Sequence, residues 1–249
     1  MWLVLCAETD VPALWACQGL KARGIEPLEV VSPETLAQSQ RWEHHVGVEG
    51  VYIAITLANG HKLCNNAIRG VLNRLVSVPY EPLLWADPVD REYASQELTA
   101  FFMSWLYALP QPVINQPTSQ GLAGPWRHRS EWLWLASRAG LPTPVYRQTS
   151  HDHGDTRAWQ GRLGSPDTAV QTVFVVTNKV VGAAPPPILS SCQHLAKLAH
   201  TALLGIEFTA GAAGPWTFAG ATPLPDLRLG GEALLDALAE ALQGVEEPH

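Results

Sequence analysis

The stretch Pro112–Pro144, PVINQPTSQGLAGPWRHRSEWLWLASRAGLPTP, decides the architecture. It opens on Val113-Ile114-Asn115, a short apolar run that reads as a strand. Pro117–Gly124 follows, rich in Gly, Ser, Thr and Pro, and reads as a loop. From about Trp126 to Ala139 the residues Trp132, Leu135, Ala136 and Ala139 fall on one helical face, and Gly140 supplies the stop. Pro142-Thr143-Pro144 then leads into a predicted strand near Val145–Arg147. The texture of the chain differs on the two sides of this stretch. The spacing therefore predicts two domains, 1–115 and 116–249.

Outward toward the N-terminus, Trp2–Cys6 is a short apolar run followed by Asp10, an N-cap, with Pro12 in the first turn of a helix that stops at Gly24. Pro27–Val31 reads as a second strand, and Ser32-Pro33-Glu34 opens a second short helix. His45–Val51 and Tyr52–Leu57 read as extended, with an Asn59-Gly60 turn before Lys62–Cys64. Gly70–Asn73 is another strand, and Asp90–Leu109 a long helix ended by Pro110. Strands separated by helix-length segments predict a mostly parallel sheet covered by helices. Toward the C-terminus the order changes to hairpins backed by helices. Val170–Thr177 and Val180–Ala183 form one hairpin, and Ile206–Thr209 and Trp216–Ala219 another; Ser190–Leu204 and Gly231–Leu242 are helical. The fold class is α/β, with a parallel N-terminal domain and a smaller α+β domain.

Charge narrows the function classes. Lys and Arg total 16 against 23 Asp and Glu, a net charge of −7, and charged residues make up only 16%. An acidic chain of this kind is not expected to bind nucleic acid. Leu98–Leu109, among the longest apolar runs, falls well short of the ~18–20 residues that span a bilayer, and Glu8 and Asp10 interrupt any secretory signal, so a cytoplasmic protein is expected. Cys6, Cys17, Cys64 and Cys192 are widely spaced without a C-x-x-C pair, which predicts reduced thiols. No nucleophile elbow, G-x-G-x-x-G or Walker A pattern occurs. Ten Trp beside so few charges point to a protein–protein surface.

Pro112–Pro144 resembles the segment of ATP-grasp ligases in which a strand ending in Asn, a loop, a helix and "GLPTP" join the N-terminal domain to the nucleotide-gripping domain. "VFVVTNKVVGA" at 173–183 is similar to a strand pair of that family. Residues 195–242, from "LAKLAHTALLGIEFTAG" to "GGEALLDALAEAL", resemble its last helix–hairpin–helix. The resemblance covers most of residues 70–249. It implies a pre-ATP-grasp-like first domain, a reduced ATP-grasp-like second domain, and descent from ATP-dependent carboxylate–amine or carboxylate–thiol ligases that pass through an acyl-phosphate.

Several family features are replaced. The helix that carries a Lys in the family begins here Arg127-His128-Arg129; a second Lys strand would have to fit between Arg147 and Val170; and the metal-binding strand reads Phe218–Pro223 without a carboxylate. Phosphoryl transfer depends on cations positioned at the moving charge. Glu207, on the preceding strand, is the nearby acidic residue and the candidate for Mg²⁺. Gly121, Gly124, Arg127, Arg129 and Lys179 are candidates for an anion or nucleotide. The alternative for the arginines, which cost ~0.3–1 kcal/mol each at a helix N-terminus, is solvent or a carboxylate partner. His151 and His153 could hold a metal or belong to a solvated loop. Consecutive His44 and His45 face opposite ways on an extended segment. Asn73, Arg74 and Asn115 stand at strand ends, where α/β sheets bind ligands, with turn capping as the alternative. Trp132 and Trp134 cannot share a helix face.

The leading expectation is a catalytically impaired ATP-grasp-like protein, with no cofactor assigned and ATP and Mg²⁺ only if active, acting as a binding or partner subunit in a biosynthetic or peptide- or protein-modification pathway. It is expected to form a homodimer or a heteromeric complex through at least one of Trp105, Tyr107 or Trp134. One alternative is a minimal active ligase, with ATP held by Arg127, Arg129 and Lys179 and Mg²⁺ by Glu207. The other is a small-molecule binder that uses the N-terminal strand ends without ATP.

Overall fold

The computed structural model describes residues 1–48, 50–79, 83–109, 112–147, 169–210 and 216–244. The chain divides into two compact units. One comprises Met1–Trp126 and the residues from Gly231 onward, the other Arg127–Gly230.

The first unit is built on a four-stranded, wholly parallel sheet. Its strands β1 (Trp2–Leu5), β2 (Leu28–Val31), β6 (Gly70–Asn73) and β7 (Val113–Ile114) lie in the order β2-β1-β6-β7. All four residues of β1 are buried, as expected of a strand covered on both faces. Helix α1 (Val11–Ala22) starts where Asp10 accepts the Ala13 N–H at 3.0 Å, and α2 (Pro33–Ala37) where Ser32 accepts that of Thr35. A separate antiparallel sheet, β3 (Arg41–Gly47), β4 (Gly50–Thr56) and β5 (Lys62–Cys64), shares a core with α3 (Pro88–Tyr107) and the parallel sheet through Leu3, Leu5, Ile53, Val71, Phe102 and Trp105. Trp42 stacks on Phe102 at 5.6 Å between ring centroids.

The second unit carries an antiparallel sheet in the order β11-β10-β8-β9, from β8 (Ala169–Val176), β9 (Lys179–Val181), β10 (Leu203–Ala210) and β11 (Thr217–Thr222). Helices α4 (Arg129–Arg138) and α5 (Pro186–Ala199) cover one of its faces, closing a core that includes Trp132, Leu135, Val173, Cys192, Ile206 and Phe218. Helix α6 (Gly231–Gln243), which the sequence groups with the second half, packs on α1 of the first unit. Leu235 fills the notch left by Gly19, Arg23 bridges Glu232 and Asp236 at 2.7 Å each, and the Trp2 indole donates to the Leu242 carbonyl.

Other boundaries also move. Val145–Arg147 is not a strand; the contact with β11 is made earlier, where the Pro142 carbonyl accepts the Phe218 N–H at 2.7 Å, and Pro144, without an N–H, does not continue it. Helix α5 starts at Pro186 and ends before His200, which adopts a left-handed conformation, so Leu203 and Leu204 belong to β10 instead. The two extended segments expected at 45–51 and 52–57 are instead β3 and β4, which pair from Arg41 with Thr56 to Gly47 with Gly50, so Val51 belongs to the second strand. Helix α3 begins at Pro88 because the Asp87 side chain caps Val89. Helix α4 begins at Arg129 behind a His128 cap. No helix among the described residues is long and apolar enough to cross a membrane.

Candidate functional site

In the first unit the chain winds from β1 outward in both directions, to β2 on one side and β6 on the other. Loops leaving such a pair of strands diverge, and the gap at their carboxyl ends is where open α/β sheets place ligands. A cleft of about 350 Å³ lies there, lined by Thr9, Asp10, Glu34, Arg74, Ser77 and Val78 among others. Arg74, with a side chain only 5% exposed, donates from Nε to Asp10 Oδ2 at 2.8 Å and from Nη2 to Asp10 Oδ1 at 3.2 Å. Asp10 thus caps α1 and pairs with Arg74 at once.

Asn73, one residue before Arg74, does not face the cleft chemistry. It is fully buried, and its Nδ2 donates to the carbonyls of Asn115 at 2.8 Å and Leu122 at 2.7 Å, while Oδ1 accepts the Leu75 N–H. Asn115, at φ 62° and buried, turns the chain into the loop that this amide holds. Of the strand-end candidates, Arg74 lines the cleft; Asn73 and Asn115 pin the 115–122 segment. Within that segment Thr118 and Gly121 exchange backbone hydrogen bonds, and a Cβ on Gly121 would stand 2.6 Å from the Gly124 carbonyl. Gly124 takes φ 99°, a conformation that glycine tolerates.

Arg127 precedes α4 and is turned inward. It pairs with Glu131, donates to the Ala199 carbonyl at the C-terminus of α5 at 3.1 Å, and lies over the Trp132 ring. A cation at a helix C-terminus complements the dipole. Arg129 is exposed on the first turn of α4, and Lys179 is exposed at the start of β9.

Glu207 projects from β10 on the face opposite the α4–α5 core. In register across the sheet it lies beside Thr172 of β8 and Gly220 of β11, with a bulge after it. It is exposed, and its Oε2 lies 4.0 Å from where a Cβ on Gly220 would stand. Glu207 is the only carboxylate in β8–β11. His151 and His153 lie outside the described residues, among which no group of three or more His, Cys, Asp or Glu is placed to hold a metal ion. His44 Nδ1 meets Ser104 at 3.3 Å and the His45 ring lies 6.0 Å from Tyr52, on opposite faces of β3.

Asp10, Glu34 and Ser77 carry no motif that marks them as site residues. Asp10 was legible only as a cap, and its second role depends on Arg74, 64 residues away. The available signal was topological: a residue just beyond the first strand of a doubly wound sheet borders its crevice.

No protein-family model matches the sequence, and no curated protein matches it. Solved structures do share the fold. Macrocyclase MdnC from Microcystis aeruginosa, bound with precursor peptide MdnA, is 13% identical with a TM-score of 0.73, over 98% of this chain and 100% of that one. A RiPP-associated ATP-grasp ligase from Chryseobacterium gregarium, in complex with ADP and a leader and core peptide, is 10% identical with a TM-score of 0.68, over 97% and 96%. ATP-grasp ligase PsnB, complexed with a phosphomimetic variant of a minimal precursor, Mg and ADP, is 18% identical with a TM-score of 0.68, over 95% and 97%. The chain has an ATP-grasp-like fold.

Proposed function

We propose that this protein is an ATP-grasp-fold subunit that has lost phosphoryl-transfer chemistry and acts as a binding partner in a cytoplasmic peptide-modification pathway. The observation that carries the reading is the composition of β11, Thr217–Thr222, which holds no carboxylate and leaves Glu207 as the single acidic side chain of its sheet. Mg²⁺ takes oxygen ligands in near-octahedral geometry, commonly one or two carboxylates with substrate phosphates. One exposed carboxylate flanked by a threonine and a glycine is a poor donor set for it. The inward engagement of Arg127 with Glu131 and Ala199 supports the same reading, because that guanidinium is committed to joining α4 and α5. The peptide partner is drawn from the similar solved structures, which hold precursor peptides.

A second reading, a binder of small molecules or side chains at the N-terminal strand ends, is favoured by the cleft beside Arg74. The two are compatible.

Nucleotide turnover tests the proposal. Millimolar ATP with Mg²⁺ should release no ADP, alone or with carboxylate and amine substrates, and should not raise the melting temperature in a Mg²⁺-dependent way. A specific ligand at 100 times its Kd would stabilise by ~2.7 kcal/mol, well within detection. Mg²⁺-dependent ADP release that disappears in Glu207→Gln would overturn the reading in favour of a minimal ligase.

A further inference from the structure

We infer that the cleft at the carboxyl ends of β1 and β6 binds an alkylammonium or guanidinium group carried on an unbranched aliphatic stem. Its volume, about 350 Å³, lies in the range of small-ligand sites, and the polarity of its lining sets the ligand's charge. Two features there would attract an anion, the N-terminus of α1 and the Arg74 guanidinium. Both engage Asp10, whose carboxylate takes the Ala13 N–H and two of the Arg74 donors. On the α2 side the Thr35 N–H is taken by Ser32. Pro33 and Pro79, both in the lining, have no N–H to offer an anion. The hydroxyls of Thr9 and Ser77 can accept as well as donate.

Once Asp10 and Arg74 cancel, Glu34 is the remaining formal charge of the lining. It is exposed, and no cation pairs with it among the described residues. The formal charges of the lining therefore sum to minus one. Val78 and the two prolines form an apolar wall of the kind along which lysine and arginine stems lie while their charged heads reach a polar rim. A side chain of a bound peptide and a free basic amino acid share this chemistry.

The inference does not depend on ATP chemistry, and its test omits nucleotide. The whole chain is titrated calorimetrically with Nα-acetyl-lysine-N-methylamide, its norleucine analogue, free lysine, acetate and inorganic phosphate. Saturable binding of the lysine probes without binding of the norleucine analogue is expected. Tighter binding of the capped probe identifies a peptide side chain as the source, and tighter binding of free lysine a small molecule. Glu34→Gln should weaken binding about fivefold, the value of one partly exposed ion pair, with an unchanged melting temperature. Ser77→Trp, which fills the cleft from an exposed position, should abolish binding. Norleucine binding as tightly as lysine, undiminished affinity in Glu34→Gln, or preferential binding of acetate or phosphate would each overturn the inference.

Discussion

Arg74 grips both carboxylate oxygens of Asp10, at 2.8 and 3.2 Å, while the same carboxylate caps the first turn of α1. One side chain thereby ties the end of β6 to the start of the helix that follows β1. With side-chain exposures of 5% and 17% the pair is largely withdrawn from water. Removing one partner of a buried pair strands the other charge, which costs about 3 kcal/mol or more. Arg74→Met should therefore lower the urea midpoint strongly. Asp10→Asn keeps a good cap and loses the charge, whereas Asp10→Ala loses both and should be about 1 kcal/mol less stable still. Equal stability of the two Asp10 variants would show that the cap contributes nothing.

Burial raises three thiols above their usual value near 9: Cys6 to about 11, with Asp10 adding to the effect, Cys192 to about 12, and Cys17 upward. In the fold they stay protonated at a pH where the unfolded chain has begun to ionise. Their contribution is full below about pH 9 and is lost as pH climbs toward about 12, at up to ~1.4 kcal/mol per pH unit for each thiol. Denaturant midpoints should fall steadily from pH 8.5 to 10.5, and Cys192→Ala should flatten that slope. At pH 8 a thiol-reactive disulfide reagent should label only the partly exposed Cys64 rapidly, and the other three only after unfolding.

Two glycines of the antiparallel sheet should respond oppositely to a methyl group. At Gly205 a Cβ would stand 2.5 Å from the Pro225 ring, which has little freedom to yield. Gly205→Ala should cost about 1–3 kcal/mol by overpacking. At Gly220 the nearest atom is Glu207 Oε2 at 4.0 Å, so Gly220→Ala should be neutral or stabilise by about 0.5 kcal/mol through the unfolded chain. Thermal melts of the two variants decide the matter.

Of the three aromatics expected at a partner surface, Trp105 is fully buried, whereas Tyr107 and Trp134 are 55% and 56% exposed. Tyr107 is oriented by a hydrogen bond to the Pro117 carbonyl at 2.7 Å, and Trp134 by the Arg138 guanidinium 5.0 Å from its ring. Exposed aromatics held in one orientation lose little entropy on association. A dimer or heteromeric complex is expected by sedimentation at micromolar concentration, weakened by ~2 kcal/mol or more in Trp134→Ala or Tyr107→Ala if either is a hot spot. A persistent monomer that recovers no partner from its native host would sink this expectation.

Signals in the sequence are legible where the physics is local. Asp10 and Ser32 cap helices because their side chains reach N–H groups three residues on. The apolar strand β1 and the Pro12 and Pro33 starts follow from the same short-range rules. Non-local relationships were not legible. Nothing within β3–β5 states that it forms its own sheet, since the split from β1 and β6 is decided by pairing. Apolar Leu203 and Leu204 continued the helical period of α5 until the left-handed His200 ended it. The cleft was hidden because its chemistry joins Asp10, Glu34 and Arg74, which come from three separate stretches of chain.

The docking of α6 on α1 fixes an order of assembly. A ribosome delivers residues 1–126 first, yet Leu235, which fills the Gly19 notch, and the Leu242 carbonyl, which satisfies the buried Trp2 indole, emerge only after 127–230. At typical synthesis rates that interval is on the order of ten seconds. The second unit is contiguous in sequence and can close its core during that time. The unit that is translated first is therefore the last to be completed, and it spends the wait with β6 and β7 uncovered where α6 will pack.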